Sequence, residues 1–71
     1  MRVVVTHGAN EQTLNDLSDG TTVGQIRTRC SQGLNIPSGA QATINGANVA
    51  DNTAVSNNQQ VCFFKASGNK G

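Results

Sequence analysis

Three consecutive valines follow Arg2 at the start of the chain, which predicts a β-strand over residues 1–7. The odd positions form the face that we expect to point into the core: Met1, Val3 and Val5. The even positions would face the other way: Arg2, Val4 and Thr6. Gly8-Ala9-Asn10 tolerates positive φ, so a tight reversal into a second strand at about 11–17 is expected.

Two leucines complicate that second strand. Leu14 and Leu17 are three residues apart and cannot share a face in a regular strand. A bulge or an early bend would resolve the conflict. Otherwise one leucine is exposed, and we expect it to be Leu14 because Leu17 lies where the chain enters the next element.

A helix should begin at Thr22 or Val23. Thr22 and Gln25 form a capping-box pattern, in which each side chain satisfies a backbone N–H of the other residue. One apolar stripe then follows at helical spacing: Val23, Ile26 and Cys30. Gly33 fits the position just past the helix end, Leu34 can fold back onto the last turn, and Pro37 prevents continuation.

The second half of the chain reads as short strands joined by turns. A short strand is predicted over residues 42–44. It is followed by Asn45-Gly46, a sequence typical of tight turns, and Val49 would lie on the returning strand. Asn57-Asn58 marks another turn before the last strand, 60–65.

The last strand continues the alternation. Val61 and Phe63 should face the core, so Cys62 and Phe64 should face outward. The order of elements predicts an α+β fold with a mixed sheet of four to five strands and one helix packed on one face. The first and last strands would be parallel neighbours beneath the helix.

Composition sets the size and the limits of the molecule. With 71 residues, we expect one domain over 1–65 and a flexible tail over 66–71. Hydrophobic residues make up 35% and the net charge is +1, so the core is small and a deep active-site cavity is not expected. The basic residues are scattered, which makes nucleic acid an unfavoured partner: Arg2, Arg27, Arg29, Lys65 and Lys70.

The candidate reactive groups do not form a catalytic pattern. We expect two free thiols, with Cys30 as a core residue, and a solvated turn histidine at His7. The carboxylates show no metal-ligand spacing. We therefore expect no catalytic centre, metal or cofactor. Because 1–6 holds only a short apolar run with no cleavage site, we expect a cytoplasmic protein without a signal peptide or membrane span.

Four stretches together resemble the ubiquitin-like β-grasp superfamily, and within it the small sulfur carriers of thiamine and molybdopterin biosynthesis. They are the opening strand 1–6, the helix entry 19–26, the turn 44–46 and the ending 57–63. The resemblance implies a β-grasp fold that binds protein partners through the sheet face away from the helix. Such carriers end in Gly-Gly, and their terminal carboxylate is activated. This chain has Lys70 before Gly71.

The hypothesis that follows is a non-catalytic protein-interaction or regulatory module, encoded by a bacterium or a phage, and monomeric or weakly dimeric. Its candidate partner-binding residues lie on the outward-facing side of the sheet: Arg2, Val4, Thr6, Thr43, Asn45, Cys62 and Phe64. We expect Val4 and Phe64 to form an exposed apolar pair. The alternative is a sulfur carrier or ubiquitin-like modifier activated at the Gly71 carboxylate.

Overall fold

A computed structural model describes residues 1–37 and 39–65. Its elements are β1 (Val3–His7), β2 (Asn10–Leu14), α1 (Val23–Cys30), β3 (Gln41–Ile44), β4 (Ala47–Val49) and β5 (Gln59–Phe64). The five strands form one sheet in the order β2-β1-β5-β3-β4. β1 and β5 are parallel, whereas the other neighbouring pairs are antiparallel. The predicted α+β fold with parallel first and last strands is confirmed.

The core lies between α1 and the central strand pair. Val5 pairs with Val61 in the parallel register, and both side chains are fully buried. All three residues of the predicted helix stripe are also completely buried: Val23, Ile26 and Cys30. The chain crosses from β2, on one side of the central pair, to β3, on the other side. The helix α1 lies in this crossing and covers one face of β1 and β5.

The first turn of α1 makes hydrogen bonds within itself and to a loop that is distant in sequence. The Gln25 amide donates to Thr22 Oγ1 at 3.3 Å, and the Thr22 amide donates to Gln25 Oε1 at 2.9 Å, which confirms the capping box. The amides of Val23 and Gly24 donate to the carbonyls of Thr53 and Asp51 at 2.9 and 2.8 Å. These bonds satisfy N–H groups that a helix start otherwise leaves without partners.

The prediction about the end of the helix is confirmed for Leu34 and wrong for Gly33. α1 ends at Cys30, and Leu34 is buried by folding back so that its amide donates to the Cys30 carbonyl at 2.9 Å. The left-handed residue of the following turns is Asn35, with a φ of 53°, and not Gly33. Asparagine tolerates this conformation because its short polar side chain can bond locally.

The expectation that Leu14 is exposed is also wrong. Leu14 is 3% exposed and Leu17 is 8% exposed. The strand ends at Leu14, so Leu17 lies in a loop that is free to turn its side chain inward. The backbone of Leu17 also bonds to Met1, which holds this loop against the start of β1.

The turns predicted at Asn45-Gly46 and Asn57-Asn58 are present. Asn45 and Gly46 have φ values of 55° and 81° and join β3 to β4 in a two-residue reversal. Asn58, with a φ of 67°, turns the chain into β5. The predicted tail, 66–71, lies outside the described residues. Within 1–37 and 39–65, α1 falls short of the length and apolarity that crossing a bilayer requires.

Candidate interaction site on the outer sheet face

The outer face is the side of the sheet turned away from α1. One row of cross-strand neighbours runs across all five strands at its centre: Glu11, Thr6, Cys62, Thr43 and Asn48. The three central side chains of this row are half-buried, whereas Val5 and Val61 on the opposite face are fully buried. The alternation predicted for β1 and β5 therefore separates the two faces.

Val4 lies one row toward the start of β1. It pairs with Gln60 in β5 and with Thr13 in β2, and its side chain is half-buried. Phe64 lies near the opposite end of the face, where it pairs with Gln41. Phe64 is 39% exposed, and among residues 1–37 and 39–65 no other large hydrophobic residue is classed as exposed.

The predicted apolar pair of Val4 and Phe64 is wrong. Val4 is level with Gln60, and Phe64 is four residues further along β5. At about 3.3 Å per residue the two side chains are roughly 13 Å apart along the strand. The row through Thr6 and Cys62 separates them, so the face carries two apolar contact points with polar surface between them.

The other two candidate residues lie where β1 and β5 begin. Arg2 precedes β1, and its backbone bonds to the turn before β5: its amide donates to Asn57 Oδ1 at 2.8 Å and its carbonyl accepts from the Asn58 amide at 2.6 Å. Asn45 is exposed in the turn that follows Ile44, the partner of Val61. The structure thus places all seven candidates on or at the rim of one face.

Five further residues belong to this face and were not among the sequence candidates: Glu11, Thr13, Gln41, Asn48 and Gln60. The alternation of β5 contains the signal for Gln60, since it is two residues before Cys62. The alternation of β3 likewise contains the signal for Gln41, two residues before Thr43. The other three depend on knowing which strands pair, because β2 and β4 lack a regular apolar pattern.

Charge on the outer face is sparse. Its strands contribute Glu11, and Arg2 lies at the rim. The two ion pairs found in the described residues lie elsewhere: Arg27 with Asp51, and Arg29 with Asp16, both at 2.8 Å. The hydrogen bond and the charge of Arg29 hold the pKa of Asp16 below its usual range.

The two thiols occupy different surroundings. Cys30 is fully buried on the face of α1 that packs in the core, and burial raises the pKa of its thiol. Cys62 is half-buried at the centre of the outer face, between Thr6 and Thr43. Both are free cysteines, as expected. No group of three or more His, Cys, Asp or Glu side chains in 1–37 and 39–65 is placed to hold a metal ion.

His7 differs from the solvated turn histidine that we expected. It is the last residue of β1 and is half-buried. Its Nδ1 lies 2.7 Å from the Leu34 carbonyl oxygen and donates to it, since a carbonyl only accepts. The imidazole therefore ties β1 to the turns after α1.

A shallow depression of about 380 Å³ lies between the loop before α1 and the helix. It is lined by Leu17, Ile26 and polar residues, including the ion pair of Asp16 and Arg29. Neither thiol nor the imidazole lines it. The depression therefore lacks the strongest nucleophile and the usual general base of enzyme sites.

Comparison with solved structures agrees with the strand order and the helix position. The structure matches the ubiquitin of Caldiarchaeum subterraneum with a TM-score of 0.75, and the match covers 94% of each chain. The fold is ubiquitin-like. Sequence identity is 17%, so the likeness extends to the fold alone. No protein-family model and no curated protein matches this ubiquitin-like chain. The resemblance to sulfur carriers therefore stays a prediction.

Proposed function

We propose that the protein is a non-catalytic interaction or regulatory module that binds a protein partner through the outer sheet face. A ubiquitin-like fold fits a small interaction or modifier module. The observation that carries the proposal is that Phe64 is 39% exposed on the side of the sheet that α1 leaves uncovered. The proposal includes a cytoplasmic site of action and a bacterial or phage origin.

The chemistry of the face favours contact with neutral and apolar groups. Phe64 and Val4 provide separate apolar contacts, and threonine, glutamine and asparagine side chains surround them. Aromatic residues that become buried on binding commonly carry much of the interface energy. Because Arg2 and Glu11 have opposite signs, the face has little net charge, and binding should depend weakly on salt.

The size of the face favours a small contact. Five strands spaced by about 4.8 Å, with about five residues of about 3.3 Å each, give roughly 400 Å² of projected area. Stable interfaces bury on the order of 800 Å² per partner. A homodimer formed through this face alone would be weak, so we propose a monomer that docks a small element of its partner.

The proposal predicts that Phe64→Ser and Val4→Ser each weaken partner binding and that the double variant abolishes it. Both changes replace an apolar contact on the outer face with a hydroxyl. Affinity capture from the native lysate with each variant measures the loss, and circular dichroism verifies the fold. Ala50→Ser and Gln32→Ser are matched controls because both positions are exposed and lie outside the outer face. Unchanged capture by the double variant would exclude this face as the site.

The second candidate function is a carrier or modifier that is activated at Gly71, and the likeness to a ubiquitin favours it. An activating enzyme would have to admit the long Lys70 side chain directly before the reacting carboxylate. We expect the intact mass to stay unchanged after incubation with an adenylating enzyme, ATP and a sulfur donor. A Lys70→Gly control should gain a thiocarboxylate if Lys70 is the obstacle. Replacement of oxygen by sulfur in the wild-type chain would favour the carrier over the module.

A further inference from the structure

We propose that Asn45 is a site of spontaneous deamidation, which changes the rim of the outer face as the protein ages. Asn45 is the one asparagine of the chain that is followed by glycine. It is exposed in the two-residue turn between β3 and β4. Gly46 has no side chain, and a Cβ built on it meets no heavy atom within 4 Å, so the space beside its Cα is open.

The reaction uses only groups within the turn and water. The backbone nitrogen of Gly46 attacks Cγ of Asn45 and forms a new N–Cγ bond. The bond from Cγ to the side-chain nitrogen breaks, and ammonia leaves with the proton from the Gly46 nitrogen. A water molecule then opens the succinimide. Opening at Cγ yields aspartate, and opening at the backbone carbonyl yields isoaspartate, each with an added negative charge.

The position of the turn makes this reaction accessible. The closed turn holds Asn45 at a φ of 55°, and reaction requires its side chain to swing toward the Gly46 nitrogen. β4 is an edge strand of three residues, and Ala47 and Asn48 are exposed. Short exposed edges open locally at low free energy. Local opening of β4 therefore allows the reaction without global unfolding.

The two products have different consequences for the outer face. Aspartate tolerates positive φ and preserves the turn. Isoaspartate adds a backbone carbon to a two-residue loop, which shifts the pairing of Thr43 with Asn48. That pair belongs to the central row of the outer face, so isoaspartate alters its surface as well as its charge.

Incubation of the full chain in mildly alkaline buffer made with heavy-oxygen water tests the proposal by intact mass and peptide mapping. We expect a mass gain that corresponds to replacement of the amide by a labelled hydroxyl, mapped to Asn45. Gly46→Asn should lose this gain at position 45 over the same period, because asparagine tolerates positive φ but places a Cβ beside the attacking nitrogen. Circular dichroism verifies that this variant is folded.

Two further readouts separate the proposed route from others. Val49→Ala removes packing of β4 against the core and should speed the conversion, and an unchanged rate would overturn the role of local opening. The Asp19-Gly20 site can form a similar ring by losing water, and reopening adds one labelled oxygen without loss of ammonia, so peptide mapping distinguishes its smaller mass gain from the gain at Asn45. No label at Asn45, a gain that maps first to another asparagine, or an equal gain in Gly46→Asn would overturn the proposal.

Discussion

Phe63→Ala should leave the chain largely unfolded at 25 °C. The Phe63 side chain is 2% exposed and is the largest fully buried side chain of the core. Truncation of a buried phenylalanine to alanine removes about 3 to 5 kcal/mol. A single domain of this size has a total stability of about 3 to 5 kcal/mol, so the loss is comparable to the whole.

The adjacent Phe64 provides the matched control. Both residues belong to β5, but Phe64 is 39% exposed and points to the outer face. Phe64→Ala should lower the free energy of unfolding by about 1 to 2 kcal/mol, less than Phe63→Ala, because full burial of such a side chain contributes about 1.5 to 3 kcal/mol and Phe64 is only partly buried. Urea denaturation followed by circular dichroism measures both variants. Equal losses would show that the alternation along β5 does not separate core from surface.

Arg27→Ala should lower the free energy of unfolding by about 2 kcal/mol, from the lost bonds of a charged group and the lost cation–π contact. The Arg27 guanidinium carbon lies 5.2 Å from the centre of the Phe63 ring. Nη1 donates to the Ala40 carbonyl, and Nη2 donates to Asp51 at 2.8 Å. Its side chain, 18% exposed, therefore joins α1 to three other parts of the fold.

Arg29→Ala is the matched control on the same helix. Arg29 makes a salt bridge of the same length to Asp16, but the exposed fractions of the two side chains are 46% and 69%. Solvent screens such a pair, so the denaturation midpoint should stay within experimental error of wild type. If the two arginine variants lost equal stability, the contacts of Arg27 with Phe63 and Ala40 would contribute nothing.

The fold could be predicted where local patterns and tertiary packing agree. The valines of β1, the stripe of Val23, Ile26 and Cys30, and the capping box all have the predicted burial or contacts. The predicted ends of β2 and α1 were wrong, since β2 stops at Leu14 and α1 stops at Cys30. Leu14 is buried because β2 pairs with β1 up to that residue, and pairing with a distant strand is not encoded in local periodicity.

The sequence predicted which residues of β1 and β5 face outward, but it did not predict how far apart they lie on the outer face. Alternation along β5 correctly separated Cys62 and Phe64 from Val61 and Phe63. The distance between Val4 and Phe64 depends on the parallel register of β1 with β5, which sets Val4 beside Gln60. A crossover connection imposes no such register, unlike a two-residue hairpin. The contacts of Arg27 could not be predicted from the sequence either, because its partners are distant along the chain.

The most direct test of the binding proposal is an amide NMR shift map of the protein titrated with its captured partner. The account predicts that the largest shifts lie in β1, β3 and β5 around Thr6, Cys62 and Thr43, and extend to Phe64. Largest shifts in α1 or in the loop 16–21, with the outer face unchanged, would contradict it.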